Sequence, residues 1–260
     1  MNILKKLKAW FYEYILALFI VPKCVSCFSV IENDKEALCE ECRHTYQLES
    51  KLECSVCRRP HTHCTCRVHF EGLSIPLFHV TGYDIKRNAI SKNIVLHIKD
   101  NNYPAAFDFM AAEMTEVLKL RLPLITSFPL DQIILTWVPR SERAKRRAGH
   151  DQSYEMARRI ADMLGCRLVA MFENGSTSYQ KTLSKDKRRE NAVKSYSIKA
   201  GAIDDVGHRH VVLVDDIVTT GSSIGACAQL LRESGVKHLS ALVYAKTDSR
   251  KGESENAELT

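Results

Sequence analysis

Eight of the ten cysteines fall between Cys24 and Cys66, and their spacing limits the possible folds more than any other feature of the chain. Three Cys-x-x-Cys knuckles, CVSC at 24–27, CEEC at 39–42 and CSVC at 54–57, are each separated from the next by eleven residues, and CTC at 64–66 closes the set. A Cys-x-x-Cys turn lets two thiolates bind one zinc ion while backbone amides donate to the sulfurs, and two such turns complete a tetrahedral site. Eight thiols therefore make two sites. Sequential pairing joins Cys24, Cys27, Cys39 and Cys42 in one and Cys54, Cys57, Cys64 and Cys66 in the other. A cross-braced pairing, first knuckle with third, uses the same residues. The tight CTC is less usual than a fourth Cys-x-x-Cys, which leaves His61, His63 or His69 as a substitute for one thiolate. Disulfides are the alternative chemistry, disfavoured in a chain that shows no cleavable signal. A metal closed by four protein ligands has no position for substrate, so this is a structural module. Cys166 and Cys227 stand alone in apolar surroundings and read as packed thiols.

Ahead of the module, MNILKKLKAWFYEYILALFIVPKC begins with basic residues and continues into an apolar run. Glu13 interrupts that run, no small-residue cleavage site follows, and Pro22 leads directly into Cys24. The run falls short of the ~20 apolar residues that a membrane span needs. Ile3, Leu4, Leu7, Phe11, Tyr14, Ile15 and Leu18 recur at helical spacing, which predicts an amphipathic helix over 1–22 packed on its own protein or a partner. Lys5, Lys6 and Lys8 give the same helix a second reading, as one lying on a membrane surface. The expected location is cytoplasmic, with a peripheral position at the inner membrane as the alternative. The net charge of +6 is compatible with nucleic acid or phosphate ligands and demands neither.

After Cys66 the pattern becomes that of an α/β domain. SIPLFHVTGYD reads as a strand or hairpin, and NAISKNIVLHIKD and YPAAFDFMAAEMTEVLKLRL carry helical periodicity. DQIILTWVP is a buried strand ended by Pro139, and DQSYEMARRIADMLGC is a helix with Asp151 as its cap. HVVLVDD, GSSIGACAQLLRESG and HLSALVYAK follow as strand, helix and strand. Strands that alternate with helices predict a mostly parallel sheet with ligands at the carboxyl ends of its strands. The expected division is a helix over 1–22, the cysteine module over 23–70, the α/β domain over 71–248 and a polar tail over 249–260.

Within that domain HVVLVDDIVTTGSSIGAC, His210 to Cys227, joins a buried strand to two adjacent carboxylates and a run of small hydroxyl residues. Where such a strand turns into a helix, the amides of Thr219 to Ser223 can converge on an anion, aided by the helix N-terminus. Gly221 permits close backbone approach, and Thr219, Thr220, Ser222 and Ser223 add hydroxyl donors. The spacing and the missing lysine exclude a Walker loop. Carboxylates accept hydrogen bonds and vicinal ribose hydroxyls donate them, so Asp215 and Asp216 beside a phosphate cradle suit a sugar 5-phosphate.

Residues 211–223 resemble the phosphoribosyl pyrophosphate (PRPP) motif of type I phosphoribosyltransferases: four apolar residues, two acids, two apolar residues and the small-residue loop. The chain as a whole resembles the ComF family of competence proteins. In that family's first motif, Val138, Pro139, Arg143, Arg146, Gly149 and Gln152 match, whereas Ala148, His150 and Asp151 replace its Arg, Phe and Asn. In the second, Gln180, Leu183, Ser184, Arg188, Arg189 and Asn191 match, with Tyr196 in place of Phe, and Lys99 matches the lysine after the first helix. The resemblance implies a type I phosphoribosyltransferase-like, mostly parallel sheet flanked by helices, with a small N-terminal zinc-binding module. It further implies that Asp215 and Asp216 hold the ribose hydroxyls, directly or through the magnesium of Mg-PRPP. Residues 219–223 would then hold the 5-phosphate, and Arg140 and Arg143 would neutralise pyrophosphate. His97 and His150 read as ordinary surface or half-buried side chains rather than catalytic groups.

Two functional classes stay open. One is a PRPP-dependent phosphoribosyltransferase acting on a nucleobase or amine. The other is a protein that binds PRPP or ribose 5-phosphate and assists natural transformation. In that case the basic runs 140–147 and 181–194 would contact single-stranded DNA, and the zinc module would contact a DNA-uptake helicase.

Overall fold

The computed structural model describes residues 21–83, 89–99, 102–175, 195–204, 206 and 208–247. The expected helix over 1–22 lies outside these residues except for its last two, as do the basic run 181–194 and the polar tail. A six-stranded sheet organises the molecule. Its strands are β1 (Arg67–Phe70), β2 (Leu73–Tyr83), β3 (Ile134–Trp137), β4 (Arg167–Leu168), β7 (His210–Val218) and β8 (His238–Thr247). Across the sheet they run in the order β1-β2-β8-β7-β3-β4. β1 is antiparallel to β2, and every other pairing in the sheet is parallel. The segment expected as a strand or hairpin is thus the second arm of a hairpin whose first arm follows Cys66 directly. A separate antiparallel pair is formed by β5 (Phe172–Asn174) and β6 (Tyr196–Ile198).

Six α-helices are described: α1 (Glu40–Glu49), α2 (Ile90–His97), α3 (Pro104–Arg121), α4 (Glu142–Ala148), α5 (Gln152–Leu164) and α6 (Ser222–Glu233). Pro104 opens α3 at a position where its missing amide costs nothing. α5 ends at Gly165, whose φ of 65° closes the helix in the left-handed region. Asp151 occupies the N-cap position of α5, and its Oδ2 accepts from the Arg140 amide at 3.2 Å. The segment after Pro139 contains α4, which is capped by Ser141 accepting from the Ala144 amide and ended by Gly149 at φ 77°.

β7 runs between β8 and β3 and is covered on both faces, which explains its continuous apolar run. Val212 and Val214 join a core with Phe107, Met110 and Ile160 of α3 and α5. Val211 and Leu213 join the opposite core with Cys227 and Leu231 of α6. The first core extends into the cysteine module, because Cys24, Val25, Leu38, Cys42 and Tyr46 are buried in it beside Ile94 of α2.

Candidate functional site

The cysteines form two quartets in sequential pairing. Cys24, Cys27, Cys39 and Cys42 bring their sulfurs within 4.8 Å of one another, and so do Cys54, Cys57, Cys64 and Cys66. The cross-braced arrangement is excluded, and no histidine belongs to either group among the described residues. A metal about 2.3 Å from each of four tetrahedral thiolates sets them about 3.8 Å apart. The Sγ separations of 3.7 Å for Cys27–Cys39, 3.7 Å for Cys54–Cys66 and 3.5 Å for Cys57–Cys64 fit that spacing. They are far beyond the roughly 2.0 Å of a disulfide, and all ten cysteines are free thiols. Both quartets can therefore hold a metal ion in a closed thiolate shell.

The two quartets are built by one repeated turn. The Cys24 amide donates to the Ser29 carbonyl and the Cys54 amide to the Arg59 carbonyl, each at 2.8 Å. The turn places Phe28 and Arg58 at φ 63° and 57°, a conformation that few non-glycine residues adopt. Isolated bridges Lys23–Val30 and Glu53–Pro60 close both loops. The Ser29 hydroxyl, 2.7 Å from Cys27 Sγ, is the main reason that the Cys27 thiol is lowered to about 6. At the tight CTC, the Cys66 amide donates to Cys64 Sγ at 3.4 Å, which gives this shorter turn an amide–sulfur bond of the usual kind.

Towards the carboxyl end of β7, Asp215 and Asp216 lie within the strand rather than beyond it, since β7 keeps pairing with β8 as far as Val218–Lys246. Pairing with β3 stops at Val214, so the acids occupy the stretch where one neighbour has ended. Adjacent strand residues face opposite ways. Asp215 accepts on Oδ1 from the Ser153 hydroxyl at 2.8 Å and from the Asp216 amide at 2.9 Å. Burial, then the charge of Asp216, pushes the Asp215 carboxyl well above its ordinary range, against those two hydrogen bonds. Asp216 accepts on Oδ1 from the Ile217 amide at 2.7 Å, and its charge helps burial to raise the Tyr83 hydroxyl.

Thr219 and Thr220 follow as an exposed turn, and Gly221 then takes φ 75° before Ser222 and Ser223 begin α6. The Thr220 and Ser222 hydroxyls are 2.9 Å apart. The first amides of a helix have no acceptor within it, and here the Ser222 amide donates to Thr220 Oγ1 at 3.4 Å. Gly221 is required for two reasons. Its backbone is left-handed, and a Cβ there would lie 3.0 Å from Val68 Cγ1.

A second group of expected residues gathers around the backbone of Ile98 and Lys99. Arg140 donates from its guanidinium to the Lys99 carbonyl at 3.4 Å, and Gln152 donates to the adjacent Ile98 carbonyl at 3.2 Å. His150 is buried against the Ile98 and Ala148 carbonyls, a structural placement for a side chain expected to be ordinary. His97 is half-buried beside the Phe28 ring, at 4.4 Å. Arg143 and Arg146 are exposed on α4. Gln180, Leu183, Ser184, Arg188, Arg189 and Asn191 lie outside the described residues. Cys227 is fully buried beneath the edge and Cys166 is half-buried, and burial raises both thiols, Cys166 to about 11.

Two residues beside the candidate site have little or no signal in the sequence. Ser153 binds Asp215, and its only signal is its place just after the start of a predicted helix. Tyr196 stood out only as a replacement for Phe. Burial first, and then the charge of Cys227, raise its hydroxyl, with the neighbouring Ser223 acting in the opposite direction.

Comparison with known proteins is consistent with this geometry. Residues 150–258 match the family model described as "Phosphoribosyl transferase domain". The "DNA utilization protein YhgH" of Escherichia coli O6:H1 is 32% identical over 136 residues, 52% of this chain and 57% of that protein. "Competence protein F" of Haemophilus influenzae is 38% identical over 63 residues, 24% of this chain and 27% of that protein. Residues 150–258 are thus similar to a phosphoribosyltransferase domain, and parts of the chain are similar to YhgH and to competence protein F. The match to the YhgH relative spans little more than half of that protein's length. A hypoxanthine phosphoribosyltransferase from Staphylococcus aureus superposes with a TM-score of 0.35 and 10% identity, over 56% of this chain and 71% of that one, too distant to bear on function. The matched phosphoribosyltransferase domain begins at His150, so it includes α5, β7 and α6, the elements that carry Ser153, the two acids and the small-residue turn. Among the described residues no helix is long and apolar enough to cross a membrane.

Proposed function

We propose that the edge of β7 binds PRPP or ribose 5-phosphate, and that the protein serves the uptake and handling of single-stranded DNA in natural transformation. The observation that carries the binding reading is Gly221. It sits in the left-handed region between a strand bearing Asp215 and Asp216 and a helix that opens with Ser222 and Ser223. Phosphate would rest on the amides of residues 219–223 at the N-terminus of α6. Ribose hydroxyls would donate to Asp215 and Asp216, and magnesium would accompany PRPP as its counter-ion. Arg140 and Arg143 would face the pyrophosphate, with the exposed Arg143 moving more freely than Arg140, which is tied to Lys99. Lys99, Arg146, Gln152 and the second-motif residues Gln180, Arg188, Arg189 and Asn191 complete the assignment. The names of the relatives support the DNA-uptake role. Single-stranded DNA and an uptake helicase are the proposed partners, the helicase meeting the cysteine module.

Each quartet would hold one structural zinc ion, the metal that suits four thiolates in a tetrahedral shell. Eight free thiols suit a reducing compartment, hence a cytoplasmic site for the described part of the chain, with any inner-membrane contact left to residues 1–22.

An active phosphoribosyltransferase with a nucleobase or amine acceptor is the second reading, favoured by the intact strand–acid–turn–helix order. Displacement at the anomeric carbon is mostly bond cleavage, so positioning and charge would supply most of the catalysis. Measuring Mg-PRPP binding and pyrophosphate release in parallel, across nucleobases, amines and DNA ends, separates the two. Binding without release supports the competence reading, release with one acceptor supports the enzyme, and no binding removes both.

A further inference from the structure

The two cysteine quartets are attached to different parts of the α/β fold. The first quartet's knuckle holds α2: Asn93 Nδ2 donates to Ser26 Oγ at 3.2 Å, and His97 Nδ1 meets the Val25 carbonyl. The second quartet reaches the end of β7 by two routes. Cys66 leads directly into β1, whose Val68 lies 3.0 Å from where a Gly221 Cβ would be. One helical turn further on, Phe70 fills the space at Gly225, where a Cβ would overlap its ring and its own Cβ. On the other side Lys246 Nζ lies 3.8 Å from Cys54 Sγ, and the backbone of Lys246 pairs with Val218, the residue before the small-residue turn. The turn over 219–223 is thus held between β1 and β8, both anchored to the same four thiolates.

We propose that the second quartet, Cys54, Cys57, Cys64 and Cys66, is a positioning element for the turn 219–223, with Val68 and Lys246 as its two links, whereas the first quartet is not. When metal fills the second quartet, Cys54 and Cys66 are fixed relative to each other. β1 is then pressed on Gly221 and Gly225 while the end of β8 is held beside Val218. Losing that metal frees both sides of the turn. The first quartet serves α2 and the core beneath it. The inference uses the ribose-phosphate reading only for its consequence on affinity, and the positional claim stands apart from it.

Hydrogen exchange of the full chain, read on peptides covering 217–227 and 90–97, tests the claim without ligand. Cys57→Ser should lose one of two metal ions and protection over 217–227, with 90–97 retained. Cys27→Ser should lose one metal ion and protection over 90–97, with 217–227 retained. Val68→Ala should keep both metal ions and still lose protection over 217–227, which separates the packing of β1 from unfolding should Cys57→Ser fold poorly. Unchanged exchange over 217–227 in Cys57→Ser and Val68→Ala, or an equal loss there in Cys27→Ser, would overturn the proposal. With Mg-PRPP as probe, Val68→Ala should bind about tenfold more weakly than wild type, and equal affinity would refute the link to binding. No binding by the wild type would refute the ribose-phosphate reading alone, because the exchange result still decides the brace.

Discussion

The cysteine quartets and the carboxyl edge of β7 are both turns that gather polar atoms, but they leave those atoms in opposite conditions. In the quartets every sulfur has three others within 4.8 Å, so one metal ion satisfies the whole group. At the edge of β7, Asp215 is held by Ser153 while its own burial and Asp216 work against its charge, and Thr219 and Thr220 stand exposed. A closed shell stabilises the fold and offers nothing to a substrate. An open edge with crowded acids and outward-facing hydroxyls costs stability and is suited to a ligand. Damage to the quartets should therefore show first in folding, and damage to the edge first in binding.

Metal removal should give the largest effect. Structural zinc sites of this kind contribute about 10–16 kcal/mol at neutral pH. A chelator, or Cys24→Ser or Cys39→Ser, should abolish the cooperative transition of the region around the first quartet. Since Cys24, Val25 and Leu38 share a core with Ile94 and Phe107, the damage should reach α2 and α3. Metal analysis should find two zinc ions per chain, and limited proteolysis of the chelated protein should cut within 21–66. Gly225→Ala comes next. Its new Cβ would overlap Phe70, and overpacking of this kind costs about 1–3 kcal/mol, readable as a lower urea midpoint with zinc content unchanged.

Asp215→Asn sharpens the contrast in the other direction. The folded carboxyl is raised above its unfolded value, so its protonated form favours folding. That contribution is whole below the unfolded range near 4 and is lost as pH rises towards the folded value. The asparagine variant should therefore be more stable than wild type at neutral pH, equal to it in acid, and weaker in ligand binding. Thermal melts across pH measure the first two. The smallest expected effect concerns DNA. Removing a side chain that neutralises one phosphate should reduce the slope of log affinity against log salt by about 0.7 for single strands. Arg143→Ala and Arg146→Ala, both at exposed positions on α4, should each lower the slope by that amount for every sequence alike.

The layout of both regions was legible in the sequence because each is written within a short stretch. Cysteine spacing called for two four-thiolate sites, and the acids, glycine and hydroxyls of 215–223 fall on one strand–turn–helix. What it left open depends on residues far apart in the chain. Sequential pairing could not be told from cross-bracing, because both satisfy the same local turns. The helical form of 142–148 was hidden by its charge, since seven residues hold too little apolar pattern to show a period. Ser153 lies sixty-two positions from Asp215, and Val68 lies far from Gly221, so neither approach leaves a trace in local patterning. Asp151 took the expected cap position, and the Arg140 amide that donates to its carboxylate comes from eleven residues earlier.

The central claim is that the open edge, not the closed quartets, is where ligand binds. Calorimetric titration of Mg-PRPP into wild type and Asp216→Asn, with zinc content equal in both, tests it most directly. Asparagine keeps the shape and an acceptor oxygen for the Ile217 amide while removing the charge. The account predicts that the variant folds like wild type and loses about 1.5–3 kcal/mol of affinity, the worth of one charge-assisted hydrogen bond. Equal affinity in the two proteins, or no heat from a zinc-loaded and folded wild type, would contradict it.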